Sequence, residues 1–118
     1  MQTLEITGPR SIDWAAGIFE GEGTLTVDYV RKGVPRYKAQ IGLTDYDVLQ
    51  SFHDIIQCGN LNGPYKFPSS KKHHKPIWIW KLSKKKDLKG FLETMLPYLG
   101  HRRELKAKKI LKTLNATN

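Results

Sequence analysis

Two glutamates, separated by one glycine, lie at the glycine-rich end of the segment SIDWAAGIFEGEG, residues 11–23. Ser11 is a favourable helix N-cap, and the apolar residues that follow recur at helical spacing, so the segment is predicted to begin as a helix. The helix is expected to stop at Gly23, which leaves Glu20 and Glu22 in its last turn. The backbone dipole already concentrates partial negative charge at that end of a helix. Something must therefore favour carboxylates there, and a bound cation is the simplest candidate.

Two glycines occupy one face of the same predicted helix. Gly17 and Gly21 lie four residues apart, and residues with that spacing project from the same side of a helix. Because neither carries a side chain, another backbone is able to approach this face very closely. An amphipathic helix with a glycine cap is the alternative that needs no function.

The charge of the chain indicates a polyanionic partner. Its 118 residues include 20 Lys and Arg against 11 Asp and Glu, a formal net charge of +9. Nucleic acid is the first expectation for so basic a chain, and an acidic membrane surface is the second. The single cysteine, Cys58, excludes an internal disulfide and a zinc site with several cysteines. With no signal peptide and no apolar run of membrane-spanning length, we expect one intracellular domain over residues 1–118, in the cytoplasm, the nucleoid or an organelle.

The rest of the chain alternates between strand and helix patterns in the order αββαββαα. Alternating apolar and polar residues predict two hairpins, and amphipathic spacing predicts three more helices. Helices segregated on one face of an antiparallel sheet make an α+β domain. The predicted elements are helix 11–21, strands 24–31 and 36–44, helix 46–57, strands 61–68 and 77–82, and helices 84–96 and 98–114.

These features coincide with the pattern of one known family. The run AAGIFEGEG, residues 15–23, resembles the LAGLIDADG motif of homing endonucleases position by position, with Ala16, Gly17 and Gly23 in place and Glu replacing Asp twice. The run LTD, residues 43–45, is similar to the family's usual entry into its second helix. The run LPYLGHRR, residues 96–103, resembles the segment that brings a basic side chain to the active site. The resemblance extends over about residues 11–114, and the motif occurs only once.

The resemblance implies a fold and an assembly. The family's αββαββα domain has an antiparallel, four-stranded, saddle-shaped sheet that lies over the DNA major groove, with its helices on the other face. Its first helix packs against the first helix of a second domain, so a chain with a single motif needs a second copy of itself. We therefore expect a homodimer whose interface includes Ala16, Gly17, Glu20 and Gly21. The implied partner is double-stranded DNA with a long palindromic or near-palindromic target.

The resemblance also implies the chemistry and the residues that perform it. The expected activity is Mg²⁺-dependent phosphodiester hydrolysis, with Mn²⁺ or Ca²⁺ able to substitute in the site. Glu22 corresponds to the metal ligand, helped by the Gly21 carbonyl, while Glu20 corresponds to a structural acid. Asp45 matches a polar position that orders active-site water, and Arg102 matches the basic residue near the scissile phosphate.

Each of these assignments has an alternative. A solvated surface acid is the alternative for Glu22, and a plain helix N-cap is the alternative for Asp45. His101 and Arg103 are neighbours that compete with Arg102 for the scissile phosphate.

DNA contacts are expected from the polar faces of the strands, where Arg and Lys suit guanine and Gln and Asn suit adenine. Trp78 and Trp80 share a face with Leu82, so core packing is favoured over a base-stacking platform. The basic loop with the His73–His74 pair is expected to touch DNA, since no cysteine or acid is close enough in sequence for a metal site. The Lys84–Lys86 run is expected to face phosphates or solvent. The predicted contacts are Thr24, Thr26, Asp28, Arg36, Lys38, Gln40, Asn60, Asn62, Lys66, Lys71, Lys72 and Lys81.

Two other functions remain open. A non-catalytic nucleic-acid binder of the same fold, such as a maturase that binds intron RNA or a DNA-binding regulator, has the same element order. A basic α+β protein of the ribosomal type accounts for the charge but not for the glycines and acids at the end of the first helix. Because Glu22 supplies an acid at the eighth position of the motif, catalysis is the main expectation.

Overall fold

The structure, a computed structural model, describes residues 11–30, 33–66 and 75–116. The helices and strands follow the predicted order, and the predicted α+β class is confirmed. No helix within these ranges is both long and apolar enough to cross a membrane. The predictions for Lys71, Lys72 and the His73–His74 pair lie outside the described residues. The elements are α1 (Ile12–Glu22), β1 (Gly23–Val30), β2 (Val34–Leu43), α2 (Tyr46–Ile56), β3 (Asn60–Tyr65), β4 (Ile77–Leu82), α3 (Lys85–Met95) and α4 (His101–Ala116), with a short 3₁₀ helix at Leu96–Tyr98.

The strands form one antiparallel sheet of four strands in the order β1-β2-β4-β3. Each predicted hairpin is present, and the two hairpins join through β2 and β4, where Ile41 lies opposite Trp80. Strands β1 and β3 are therefore the two edges. Alternation along each strand sends one set of side chains toward the helices and the other set toward the open face of the sheet.

The core lies between the sheet and the helices. Trp80 of β4 is fully buried, with its ring 4.8 Å from Phe52 of α2 and 5.3 Å from Phe91 of α3. Its indole nitrogen donates to the Cys58 carbonyl at 2.9 Å. Phe19 of α1 meets Phe91 edge-on at 5.1 Å. These contacts join three helices to a central strand, and they confirm Trp80 as a core residue rather than a base-stacking platform.

The apolar face of the first hairpin extends beyond the helices. Leu25 is buried, but Val27 and Tyr29 on the same face of β1 are exposed, Tyr29 by 70%. The helix layer therefore covers only the part of the hairpin nearest α1. The alternation of apolar and polar residues in β1 predicts that this whole face packs on helices, and that prediction is wrong for Val27 and Tyr29, because the helix layer ends before them.

The last helix begins later than predicted, at His101 rather than at residue 98. Pro97 lies within the 3₁₀ helix, and Leu99 is extended with φ −83° and ψ 146°, so the chain turns before α4 starts. The carbonyl of Gly100 then accepts a hydrogen bond from the Glu104 amide at 2.8 Å, and α4 begins there.

Candidate functional site

Helix α1 passes directly into strand β1 with no loop between them. Ser11 caps the start of α1 by accepting a hydrogen bond from the Trp14 amide at 3.2 Å, as predicted. Gly23 ends it, with its amide bonded to the Phe19 carbonyl. A Cβ at Gly23 would lie 2.3 Å from Cδ1 of Phe19 and 2.6 Å from the Phe19 carbonyl oxygen, so only glycine fits there. The junction fixes the last turn of α1, which contains both glutamates.

Glu20 finds its positive partners inside the chain. Its Oε1 accepts the Gly100 amide at 2.9 Å, and its Oε2 lies 3.2 Å from Nη1 of Arg103. A second guanidinium nitrogen of Arg103 donates to the Gly23 carbonyl. The carboxylate thus sits at the N-terminal end of α4, where the helix dipole favours an anion. A bound cation is therefore not needed to explain the position of Glu20 at this end of the helix.

Glu22 has different surroundings. It is exposed, and its carboxylate forms no ion pair within residues 11–30, 33–66 and 75–116. Its place at the negative end of α1 therefore stays unfavourable in the single chain. A cation at this end of the helix would relieve that repulsion.

The oxygen donors at the end of α1 fit Mg²⁺ in kind but not in number. Mg²⁺ takes carboxylate, carbonyl and water oxygens in octahedral geometry. One chain offers the Glu22 carboxylate and the backbone carbonyl of Gly21. Across the described part of the chain, no group of three or more His, Cys, Asp and Glu side chains could hold a metal ion. A complete site here needs oxygens from outside the single chain.

The glycine face of α1 is open. Gly17 and Gly21 are exposed, and a Cβ at either position would meet no heavy atom within 4 Å. Packing inside the described chain therefore gives no reason for glycine at these positions. Ala16, in contrast, is 1% exposed and belongs to the core. Its predicted place in a dimer interface is wrong, because it lies on the face of α1 that packs inward.

The first turns of α4 place cationic side chains beside the start of β1. Arg102 and Lys106 are exposed and line a cleft of about 410 Å³ together with Thr24 and Thr26. Neither cation has an ion pair in the described ranges, whereas Arg103, the predicted competitor, is engaged by the acid of α1. Arg102 is thus the arginine of this pair that can meet an outside anion. Sequence reasoning missed Lys106, although four-residue spacing places it on the same helix face as Arg102.

Asp45 is the N-cap residue of α2. Its backbone carbonyl accepts the amides of Val48 and Leu49, at 3.2 and 3.4 Å. Its side chain is exposed and makes no cap hydrogen bond. The carboxylate is therefore not occupied by the capping role that was the alternative for this residue.

The open face of the sheet presents a polar row that crosses all four strands. Thr24 lies opposite Gln40, Gln40 opposite Lys81, and Lys81 opposite Asn60. Four residues that are far apart in sequence are thereby brought into one line. The row starts at Thr24, two residues after α1 ends at Glu22, so it adjoins that glutamate.

The other predicted DNA contacts lie along the same strands. Lys38 and Asp28 form an ion pair of 3.1 Å on the first hairpin, and Thr26 lies opposite Lys38. Asn62 lies opposite Ile79, which interrupts the polar pattern. The exposed members of this group are Thr26, Asp28, Arg36, Asn62 and Lys66.

Cys58 is half-buried just beyond α2. Burial, and then the nearby Asp87 carboxylate, raises the pKa of its thiol above the ordinary value. Both effects disfavour the thiolate, which is the nucleophilic form of cysteine.

No protein-family model matches the sequence, and no curated protein matches it. Solved structures do match. The homing endonuclease I-CvuI, in complex with its target in the presence of Ca, is 22% identical with a TM-score of 0.69, covering 87% of this chain and 64% of I-CvuI. The group I intron-encoded homing endonuclease I-CeuI, complexed with DNA, is 16% identical with a TM-score of 0.68, covering 94% of this chain and 57% of that one. The LAGLIDADG meganuclease I-AabMI, bound to uncleaved DNA, is 17% identical with a TM-score of 0.66, covering 90% and 39%.

The chain therefore has the fold of the LAGLIDADG homing endonucleases, as the sequence predicts. It spans about 64% of the length of I-CvuI. The motif that suggested the resemblance forms α1 and its junction with β1.

Proposed function

We propose that this protein is a site-specific double-stranded DNA endonuclease that acts as a homodimer and depends on Mg²⁺. The observation that supports this most directly is the exposed Glu22, which lacks an ion-pair partner in the described chain and lies between an open glycine face and a polar sheet face. I-CvuI, which shares the fold, was crystallised with DNA in the presence of Ca and of Mg.

The dimer would form through α1. Glycine inside a helix costs roughly 1 kcal/mol relative to alanine, and Gly17 and Gly21 have room for a side chain within the chain. Close approach of a second backbone is the physical reason that remains for both glycines. A twofold axis beside them would bring two Glu22 carboxylates together and would make the target palindromic or nearly so.

The metal would be held by Glu22 and the Gly21 carbonyl of each protomer, with phosphate and water oxygens completing its coordination. When bound, Mg²⁺ supplies charge neutralisation at the phosphate and lowers the pKa of a bound water. The chain's own contribution is to place cations and acids around the phosphate. Arg102 neutralises phosphate charge, and the exposed carboxylate of Asp45 orients water.

DNA would lie along the open face of the sheet. Strand β1 has 8 residues and spans about 27 Å, which is the length of about eight base pairs. Two protomers would then contact roughly 16–20 base pairs. Gln40 is suited to adenine and Lys38 to guanine.

Cleavage selection on a randomised duplex library with Mg²⁺ tests this proposal. The expected result is enrichment of one near-palindromic sequence that is cut in both strands. The matched control is the same selection with Ca²⁺ in place of Mg²⁺, where binding is expected without cutting. A duplex that is bound and enriched but never cut would overturn the endonuclease and support the non-catalytic binder. Preference for intron RNA over duplex DNA in the same format would support a maturase instead.

A further inference from the structure

A second concentration of positive charge lies where α3 begins, away from Glu22. A cavity of about 550 Å³ there is lined by four cationic side chains, from Arg36 of β2, Lys81 of β4, and Lys84 and Lys85 at the start of α3. Asp87 is the acidic residue that lines it within the described chain. The cavity is therefore strongly positive although it is open to water.

These cations are placed against local electrostatics. Lys84 is the N-cap residue of α3 and makes no side-chain cap hydrogen bond. Acids are favoured at a helix N-terminus and lysines are not, because the backbone already contributes partial positive charge there. Arg36, Lys81 and Lys84 form no ion pair in the ranges that the structure describes. An anion in the cavity would relieve both the mutual repulsion and the repulsion from the helix end.

The cavity adjoins the open face of the sheet. Lys81 and Asn60 line it, and the same two residues are paired at the end of the polar row. An anion held here would thus lie beside whatever ligand covers the row. A duplex on the sheet presents phosphates at regular intervals along its edge, one for every 3.4 Å or so of each strand.

We propose that this cavity binds a backbone phosphate of duplex DNA through Arg36, Lys81 and Lys84, which makes these residues sequence-independent anchors rather than base readers. This inference rests on the proposed function for the position of the duplex. The polar row then has two parts. Gln40 reads bases, and the end of the row at Lys81 binds phosphate. Phosphate contacts position a protein on DNA, whereas base-edge contacts specify the sequence.

Salt-dependent binding in Ca²⁺ tests the inference without cleavage. Each phosphate contact contributes about −0.9 to the slope of log K against log salt. Lys84→Ala and Lys81→Ala are each expected to make that slope shallower by about 1 per cavity. Each should also weaken binding to the target duplex and to a scrambled duplex by the same factor. Lys89→Ala is the matched control, because Lys89 is an exposed lysine of the same helix that lies outside the cavity.

Two results would overturn the inference. One is a slope for Lys84→Ala equal to that of Lys89→Ala. The other is an unchanged slope for Lys81→Ala with relaxed base preference at one symmetric pair of positions, which would make Lys81 a base reader.

An anion probe separates this inference from the proposed function. Inorganic pyrophosphate is expected to raise the unfolding temperature of the wild-type protein and of Lys89→Ala, and the shift should be lost in the double variant Lys81→Ala/Lys84→Ala. If pyrophosphate binds in this way but no duplex is cut, the phosphate-binding role of the cavity is supported and the proposed endonuclease activity is overturned. If the protein cuts DNA while pyrophosphate raises the unfolding temperature of all variants alike, the endonuclease activity is supported and the phosphate-binding role of the cavity is overturned.

Discussion

The two acids of the last turn of α1 are chemically identical and meet opposite surroundings. Glu20 faces the chain's own α4, where the Gly100 amide and the Arg103 guanidinium bind its carboxylate. Glu22 faces outward, and in the described chain its carboxylate forms no ion pair. One carboxylate ties α1 to the start of α4, and the other stays exposed at the place where the proposed metal ion would bind.

The two sides of α1 differ in the same way along their whole length. The inward side is filled by Ala15, Ala16 and Phe19, all of which are buried. The exposed residues of α1 are Asp13, Gly17, Gly21 and Glu22, and both glycines have open space around them. Changes on the inward side should therefore act on stability, and changes on the outward side on assembly and catalysis.

The largest effect is expected for Glu22→Gln, which keeps the size of the side chain but removes its charge. A metal ion contributes several kcal/mol of transition-state stabilisation, so strand cleavage should fall by about 10³-fold. Binding to target DNA in Ca²⁺ and the unfolding temperature should stay near the wild-type values. A gel assay of nicking and double-strand cleavage in Mg²⁺ measures the cleavage, and a titration in Ca²⁺ measures the binding. Cleavage at a near wild-type rate would show that Glu22 is not the metal ligand.

The next effect is expected for Gly17→Leu, which places a side chain on the open face of α1. Overpacking at a contact costs about 1–3 kcal/mol, and a twofold interface contains the change twice, so self-association should weaken by about a hundredfold. Gly90→Leu on α3 is the matched control, since a Cβ there also meets no heavy atom within 4 Å. Both variants should unfold at slightly higher temperature as monomers, because leucine favours helix over glycine. Sedimentation analysis that shows wild-type protein monomeric even on DNA would contradict the homodimer.

Glu20→Gln should have a smaller effect, and it should act on stability. The acid is 37% exposed and its arginine partner 20%, so the loss is expected to be about 1 kcal/mol. The unfolding temperature should fall by about 4 °C, while cleavage per folded dimer is retained. Glu93→Gln, which changes an exposed acid of α3, serves as the control and should leave both quantities unchanged. A variant that unfolds normally yet cannot cut would show that Glu20 acts in the site.

The smallest effect is expected for Gly100→Ala. A Cβ there would lie 3.0 Å from Oε2 of Glu20, a contact that the flexible carboxylate can relieve by moving slightly. The expected loss is under about 1 kcal/mol, from this contact and from the weaker N-cap. Combined with Glu20→Gln the losses should not add, because both changes act on the same hydrogen bond. Strict additivity in chemical denaturation would show that the Gly100 contact is unimportant.

The order of elements could be predicted from the sequence because each element has a clear period and clear breakers. Ser11 and Gly23 mark the ends of α1 by local chemistry alone. The burial of Ala16 could not be predicted, because helical spacing locates a residue on the helix circumference but does not say which side faces the core. The exposure of Tyr29 was missed for a related reason, since strand alternation does not show how far the helices extend.

The candidate site could be predicted only in part. The position of Glu22 at the end of α1 follows from the local pattern of glycines and acids. The separate roles of Arg102 and Arg103 do not, because they depend on contact with Glu20, which lies about 80 residues earlier in the chain. No local signal distinguishes two adjacent arginines at the start of a helix. The cavity at α3 likewise combines side chains from three separate segments.

The loopless passage from α1 into β1 has a consequence for the geometry of the target. Gly23 leaves no flexible residue between the helix that would meet a second copy and the strand that would read DNA. In the proposed dimer, the angle between the two sheets would then be set by the crossing angle of the two α1 helices. One extra base pair between the half-sites would displace one reading surface by about 3.4 Å and rotate it by about 35°. With no hinge between α1 and β1 to absorb that change, the proposed dimer would require the spacing of the half-sites as strictly as their sequence.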